Sequence, residues 1–136
     1  MPVFSRTSRQ RLSTCNIELR DVFQRVIETM DCTIVCGYRC QAAQDAYFVA
    51  GKSRVKYPQG KHNILPSRAV DVCPYVGGKA SFDSRHCLFF AGYVLAIAEQ
   101  MGVKIRWGGD WDRDGEVMTD QKFQDLVHFE LVEGDA

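Results

Sequence analysis

The sequence predicts a single α+β domain in which a small, mainly antiparallel sheet packs with two to three helices. Three observations carry this. Short β-branched segments alternate with helix-forming ones, joined by hairpins and loops instead of regular strand–helix–strand crossovers. The chain of 136 residues supports one hydrophobic core, so the domain is expected to span residues 1–136. A content of 46% hydrophobic and 25% charged residues belongs to an ordinary folded domain and excludes a disordered chain.

The first helix is expected from Thr14 to Met30, where Ile17, Val22, Val26 and Ile27 recur at helical spacing and Ser13 or Thr14 can cap the start. Thr33 to Gly37 reads as a short strand. Gln41 to Ala50 returns to helix-forming residues, stopped by Gly51. Lys52 to Pro66, rich in Lys, Gly and Pro, reads as a surface loop of the length that is usually functional. Arg68 to Cys73 alternates as a strand, with Ala69, Asp71 and Cys73 on one face and Val70 and Val72 on the other. A turn at Gly77-Gly78 precedes a helix from Ser84 to Met101, apolar over much of its circumference and expected to be the best buried. Gly102 ends it. Val103 to Trp107 and Leu126 to Val132 supply the last strands.

Seventeen basic residues balance 17 acidic ones, which argues against a nucleic-acid binder. The balance hides a segregation. Residues 1–109 hold 15 basic and 8 acidic side chains, a net of +7, whereas residues 110–136 hold 2 basic and 9 acidic, a net of −7. Met1 to Arg11 is polar and basic, and no run approaches the ~18 apolar residues of a membrane span, so synthesis in a reducing cytoplasm without membrane insertion is expected. The six cysteines include no pair separated by two residues, which disfavours a zinc knuckle and leaves buried free thiols, Cys32, Cys36 and Cys40 among them.

Of three histidines, His62 lies in the loop before Asp71, and His128 lies on the last strand. Two imidazoles and one carboxylate are three ligands, the number a catalytic zinc uses while keeping its fourth position open. A zinc-coordinated water has a pKa of about 7, which makes a nucleophile available at neutrality. Spacing alone equally allows satisfied structural histidines. His86, near a helix start, is read as structural.

Lys61-His62-Asn63, Pro66-Ser67-Arg68-Ala69-Val70-Asp71-Val72 and Asp125-Leu126-Val127-His128-Phe129-Glu130-Leu131 stand in this order, with Gly37-Tyr38-Arg39, Gln44 and Trp107-Gly108-Gly109-Asp110-Trp111 between and before them. In this the chain, from Ile34 to Val132, resembles the zinc peptidases of the D-alanyl-D-alanine carboxypeptidase and L-alanyl-D-glutamate endopeptidase group, and in particular the bacteriophage endolysin branch. Eight residues between His62 and Asp71 suit the phage-type spacing. Gly60 stands where many relatives have Ser, and Cys40 where many have Thr or Ser after the Arg.

The resemblance implies the zinc D,D-peptidase (hedgehog-like) fold, with zinc bound by His62, Asp71 and His128. It implies Asp125 as the catalytic carboxylate, base to the attacking water and then acid to the leaving amine. Arg39 matches the substrate-side Arg, able to hold a carboxylate or stabilise an oxyanion, against the alternative of a surface salt bridge. Gln44 belongs to the same motif. Glu130 shares a strand face with His128; it either replaces Asp125 as base or, the favoured reading, orients an imidazole from behind.

Asp110, Asp112 and Asp114 alternate before Gly115, as at the start of a calcium loop, with Asp120 near the position of the bidentate ligand, where the twelfth residue is Gln121. Calcium binding and a solvated acidic turn are both open readings. The expected function is zinc-dependent cleavage of the L-alanyl-D-glutamate bond in the peptidoglycan stem peptide by a phage lysin. It would act as a monomer, held in the host cytoplasm until a holin-type protein opens a path to the wall. A D-alanyl-D-alanine carboxypeptidase or dipeptidase and a non-catalytic wall-binding module are the alternatives.

Overall fold

The computed structural model describes residues 2–111, 113 and 125–132. The amino-terminal segment forms two helices, α1 (Arg6–Leu12) and α2 (Ile17–Val26), where one from Thr14 was expected. Ser5 caps α1 by accepting the Ser8 N–H at 3.1 Å, and Asn16 caps α2 by accepting the Glu18 N–H at 3.0 Å. Helix α2 buries Leu19, Val22, Phe23 and Val26, while Ile17, expected in the apolar stripe, is 52% exposed at the first helical position.

Strand β1 (Cys32–Cys36) leads through a turn to α3 (Gln41–Val49), and a loop containing a short 3-10 turn (Lys61–Asn63) reaches β2 (Ala69–Val76). The hairpin at Gly77-Gly78 connects β2 to β3 (Lys79–Ala80). Helix α4 (Ser84–Gln100), capped by Asp83, precedes β4 (Ile105–Gly108) and β5 (Asp125–Leu131). The antiparallel sheet runs β1-β2-β5-β4, with β3 on β2. Among the described residues four helices thus accompany the α+β sheet, against two to three expected, because α1 is a separate element.

Alternation on the two central strands separates core from site. Val70 and Val72 of β2 and Phe129 and Leu131 of β5 join the core, together with Phe23 of α2 and Phe90, Val94 and Ala98 of α4. Phe129 is fully buried between edge-on rings, 5.5 Å from Phe23 and 6.2 Å from Phe90 between centroids. Truncating such a ring to Ala costs about 3–5 kcal/mol, so β5 is anchored at the residue next to His128. Helix α4 buries one stripe, Cys87, Phe90, Ala91, Val94 and Ala98, instead of most of its circumference, and leaves Phe89 74% exposed. On the other face of β2 and β5 lie Asp71, His128 and Glu130, all buried. Among the described residues no helix is long and apolar enough to cross a membrane.

Candidate metal centre

His62 from the 3-10 turn, Asp71 from β2 and His128 from β5 converge in one buried group, with Asp71 and His128 directly paired across the two strands. Asp71 Oδ1 lies 3.2 Å from His62 Nε2 and 3.1 Å from His128 Nδ1, and the two nitrogens are 3.3 Å apart. The far nitrogen of each ring decides its tautomer. His62 Nδ1 faces the Gly37 carbonyl at 2.7 Å and His128 Nε2 faces Glu130 Oε1 at 2.8 Å. Both partners only accept, so both far nitrogens carry hydrogen, and neutral rings direct lone pairs at each other and at a carboxylate.

Three converging acceptors need a positive charge between them. In the metal-free chain protons supply it: burial alone would depress His62, but the Asp71 charge and hydrogen bond outweigh it and raise the imidazole to about 10. His128 is also raised, its burial overcome by hydrogen bonds to Asp71 and Glu130. Asp71 is lowered despite deep burial, because both imidazoles favour its charge. A metal ion is the other solution. With metal–donor bonds of about 2.0–2.2 Å, tetrahedral geometry separates donors by roughly 3.3–3.6 Å, close to the spacing found. The donor set therefore fits a divalent cation of the zinc type, though imidazole and carboxylate together also suit neighbouring transition metals.

A second set of polar contacts holds these ligands. The Arg39 guanidinium donates to Asp71 Oδ2 at 3.2 Å and to Gln44 Oε1 at 3.0 Å, and it stacks 4.1 Å from the Tyr47 ring centroid. Arg39 is 6% exposed, far from the surface salt bridge that was its alternative. Gln44, 1% exposed, also accepts from Asn63 and donates to Ser53 Oγ and the Val55 carbonyl, tying α3 to the loop. Glu130 accepts from His128, from Lys61 at 3.2 Å and from Arg106 at 2.9 Å. Burial pushes its carboxyl up, but His128, Lys61 and Arg106 together hold it at about 2.

Asp125 reaches the same site through a backbone irregularity. In a regular strand residues three apart point to opposite faces, yet Asp125, Val127 and His128 all line one groove while Leu126 packs on the core. The pairing of β4 with β5 slips between Trp107 and Gly108, placing Gly108 opposite Asp125 and Trp107 opposite Phe129. Such a bulge re-aims a side chain. Gly108 permits it, since a Cβ there would run into the Asp125 backbone. Burial, reinforced by the Asp71 charge, raises the Asp125 carboxyl, which moves a carboxylate towards the range of a working base.

The groove, of about 580 Å³, is lined by Arg39, the three clustered residues, Asp125 and Glu130, and by loop residues including Lys52 and Arg54. Sequence reading missed Lys61 and Arg106 as partners of Glu130 and Asn63 as partner of Gln44, because nothing local marks them. Trp111 stands 5.3 Å from the His128 ring. Cys36 is half-buried and accepts from Arg39 at 3.5 Å, and Cys40 is exposed at the helix cap, so neither is the fully buried thiol expected. Every cysteine is free. His86 binds Ser81 Oγ at 2.7 Å beside the α4 start, away from the site. Of the proposed calcium ligands, Asp112, Asp114 and Asp120 lie outside the described residues; Asp110 closes a short turn, donating its N–H to the Trp107 carbonyl.

Comparison with known proteins bears on this geometry. No curated protein matches the chain. Among solved structures, the fold is similar to that of the Serratia marcescens L-Ala D-Glu endopeptidase ChiX, with a TM-score of 0.75 over 96% of this chain and 90% of that one, at 23% identity. The family model for phage L-alanyl-D-glutamate peptidases matches residues 2–132. A match over nearly the whole sequence, on a fold that gathers His62, Asp71 and His128, places the protein: it belongs to the phage L-alanyl-D-glutamate peptidase family.

Proposed function

We propose that this peptidoglycan peptidase hydrolyses the L-alanyl-D-glutamate bond of the stem peptide by a metal-dependent mechanism, with zinc held by His62, Asp71 and His128. The observation that carries the reading is the convergence of His62 Nε2, Asp71 Oδ1 and His128 Nδ1, each with its other polar atom already engaged. Zinc held there would supply Lewis acidity toward the scissile carbonyl and toward a water near neutral pH.

The chain's own groups do the rest. Gly37 and Glu130 fix the two imidazoles so that their ligating nitrogens need no reorganisation. Arg39 locks the second oxygen of Asp71, leaving Oδ1 aimed inward. Asp125 takes the proton of the attacking water and hands it to the departing D-glutamate nitrogen; its raised pKa suits both directions of transfer. Glu130 is held by two cations and a ring N–H on the far side of His128, which supports the orienting role over that of base. Phage lysis, with a holin-type partner giving access to the wall, completes the proposal.

The test is release of new amino termini from purified peptidoglycan, with mass spectrometry of the fragments. Cleavage between L-alanine and D-glutamate is expected, abolished by chelation and by His128→Ala. Cleavage that survives both overturns the metal mechanism, and loss of only a terminal D-alanine assigns the carboxypeptidase instead.

A further inference from the structure

The groove carries more positive charge than its catalytic groups use. Between Asp45 and Asp71 every charged residue is basic: Lys52, Arg54, Lys56, Lys61 and Arg68. Of the cations that line the groove, Arg39 is engaged by Asp71 and Gln44, and Lys61 by Glu130 and the Leu131 carbonyl. Lys52 has no ion pair among the described residues; its ammonium stands 5.9 Å from the Tyr47 ring, the same ring on which Arg39 stacks. Arg54 lines the same wall.

This wall is positioned, not loose. The chain reverses after α3 at Gly51, and the Lys52 and Ser53 N–H groups both return to the Tyr47 carbonyl. The Gln44 amide then pins Ser53 and Val55. A continuous run of hydrogen bonds, Asp71 to Arg39 to Gln44 to the loop, sets the place of Lys52 relative to the ligand cluster.

The D-glutamate whose nitrogen leaves has two carboxyl groups. One continues the stem, and the other is a free acid or its amide close to the scissile bond. We propose that Lys52 reads this second group as a carboxylate, so that the enzyme discriminates stem peptides bearing free D-glutamate from those in which it is amidated. The inference rests on the L-alanyl-D-glutamate reading above.

The test uses the zinc-loaded full chain and two synthetic stem peptides that differ only in carboxylate against carboxamide at D-glutamate. A partly solvated ion pair gives a preference of about fivefold in kcat/KM for the acid, carried mainly by KM and shrinking with added salt. Lys52→Met, which keeps the stem over Tyr47, is expected to bring the ratio near one, and Lys52→Arg to restore it. Equal rates on both peptides with the parent enzyme, or an unchanged ratio in Lys52→Met, overturn the proposal while leaving the bond assignment standing. Cleavage of neither peptide at this bond overturns the assignment, and the proposal with it.

Discussion

Glu130→Gln separates holding a ligand from moving a proton. In the metal-free protein the Glu130 carboxyl lies at about 2 against an ordinary 4.5, because His128, Lys61 and Arg106 outweigh its burial. That gap corresponds to about 3 kcal/mol of stability at neutral pH. Arg106 is 34% exposed at its side chain, and screening there reduces the figure to about 2 kcal/mol. For a chain of this size the variant should therefore melt roughly 6–10 °C lower at pH 7. Because the folded carboxyl titrates below its unfolded value, its contribution is complete above 4.5 and lost as pH falls towards about 2. The difference between parent and variant must then shrink through that acid range. With the imidazole less firmly oriented, zinc affinity is expected to fall about 10–100-fold. Denaturation of chelated protein between pH 7 and 3, with competitive zinc titration, measures both. Equal stability and equal zinc affinity, joined to collapsed hydrolysis, would make Glu130 the proton carrier and refute the reasoning.

Three further outcomes follow from the geometry. Asp125→Asn should lower kcat by about 10²–10⁴-fold and leave zinc affinity intact, because Asp125 lines the groove without belonging to the ligand cluster; steady-state kinetics and metal titration check it. His62, raised from 6.5 to about 10 in the metal-free chain, contributes stability that is full below 6.5 and lost as pH rises through about 10. A cation takes the proton's place, so the gain in Tm on adding zinc should widen across that interval in melts with and without chelator. Gly108→Ala forces a Cβ into the Asp125 backbone; a loss of about 1–3 kcal/mol and a larger proportional loss of activity are expected by thermal melts and assay.

The α+β class was legible because its signals are local, β-branched runs alternating with helix-forming stretches, whereas the gathering of His62, Asp71 and His128 was legible only through the resemblance of short motifs to a peptidase family, since their spacing alone equally allowed structural histidines. Other features were not. Helix α1 carries no apolar stripe. It is docked by Ser8, whose hydroxyl meets Thr33 Oγ1 and the Ile34 N–H, and by Arg11 on the Ile34 carbonyl, contacts to which hydrophobic periodicity is blind. The break between α1 and α2 depends on Asn16 acting as cap, when Ser13 and Thr14 were equally suitable by type. That Asp125 and His128 face one groove depends on the bulge opposite Gly108, and strand periodicity alone assigns them to opposite faces. Lys61 and Arg106 meet at Glu130 only because β5 runs between the loop and β4.

The Gly37 carbonyl links the ligand cluster to the far end of the chain. It accepts the His62 ring N–H, and its backbone is seated so closely against the turn after α1 that a Cβ would meet the Arg11 carbonyl and Thr14 Oγ1. Thr14 also accepts the Tyr38 N–H and, through its carbonyl, the Ser67 N–H just before β2. One hydroxyl residue thus braces the backbone on both approaches to the ligands, from Gly37 and from Ser67. The amino-terminal helices are therefore a back wall to the chemistry: trimming or fusing the protein there is expected to loosen the aim of an imidazole some 50 residues away with no ligand touched, which zinc titration of the shortened chain checks.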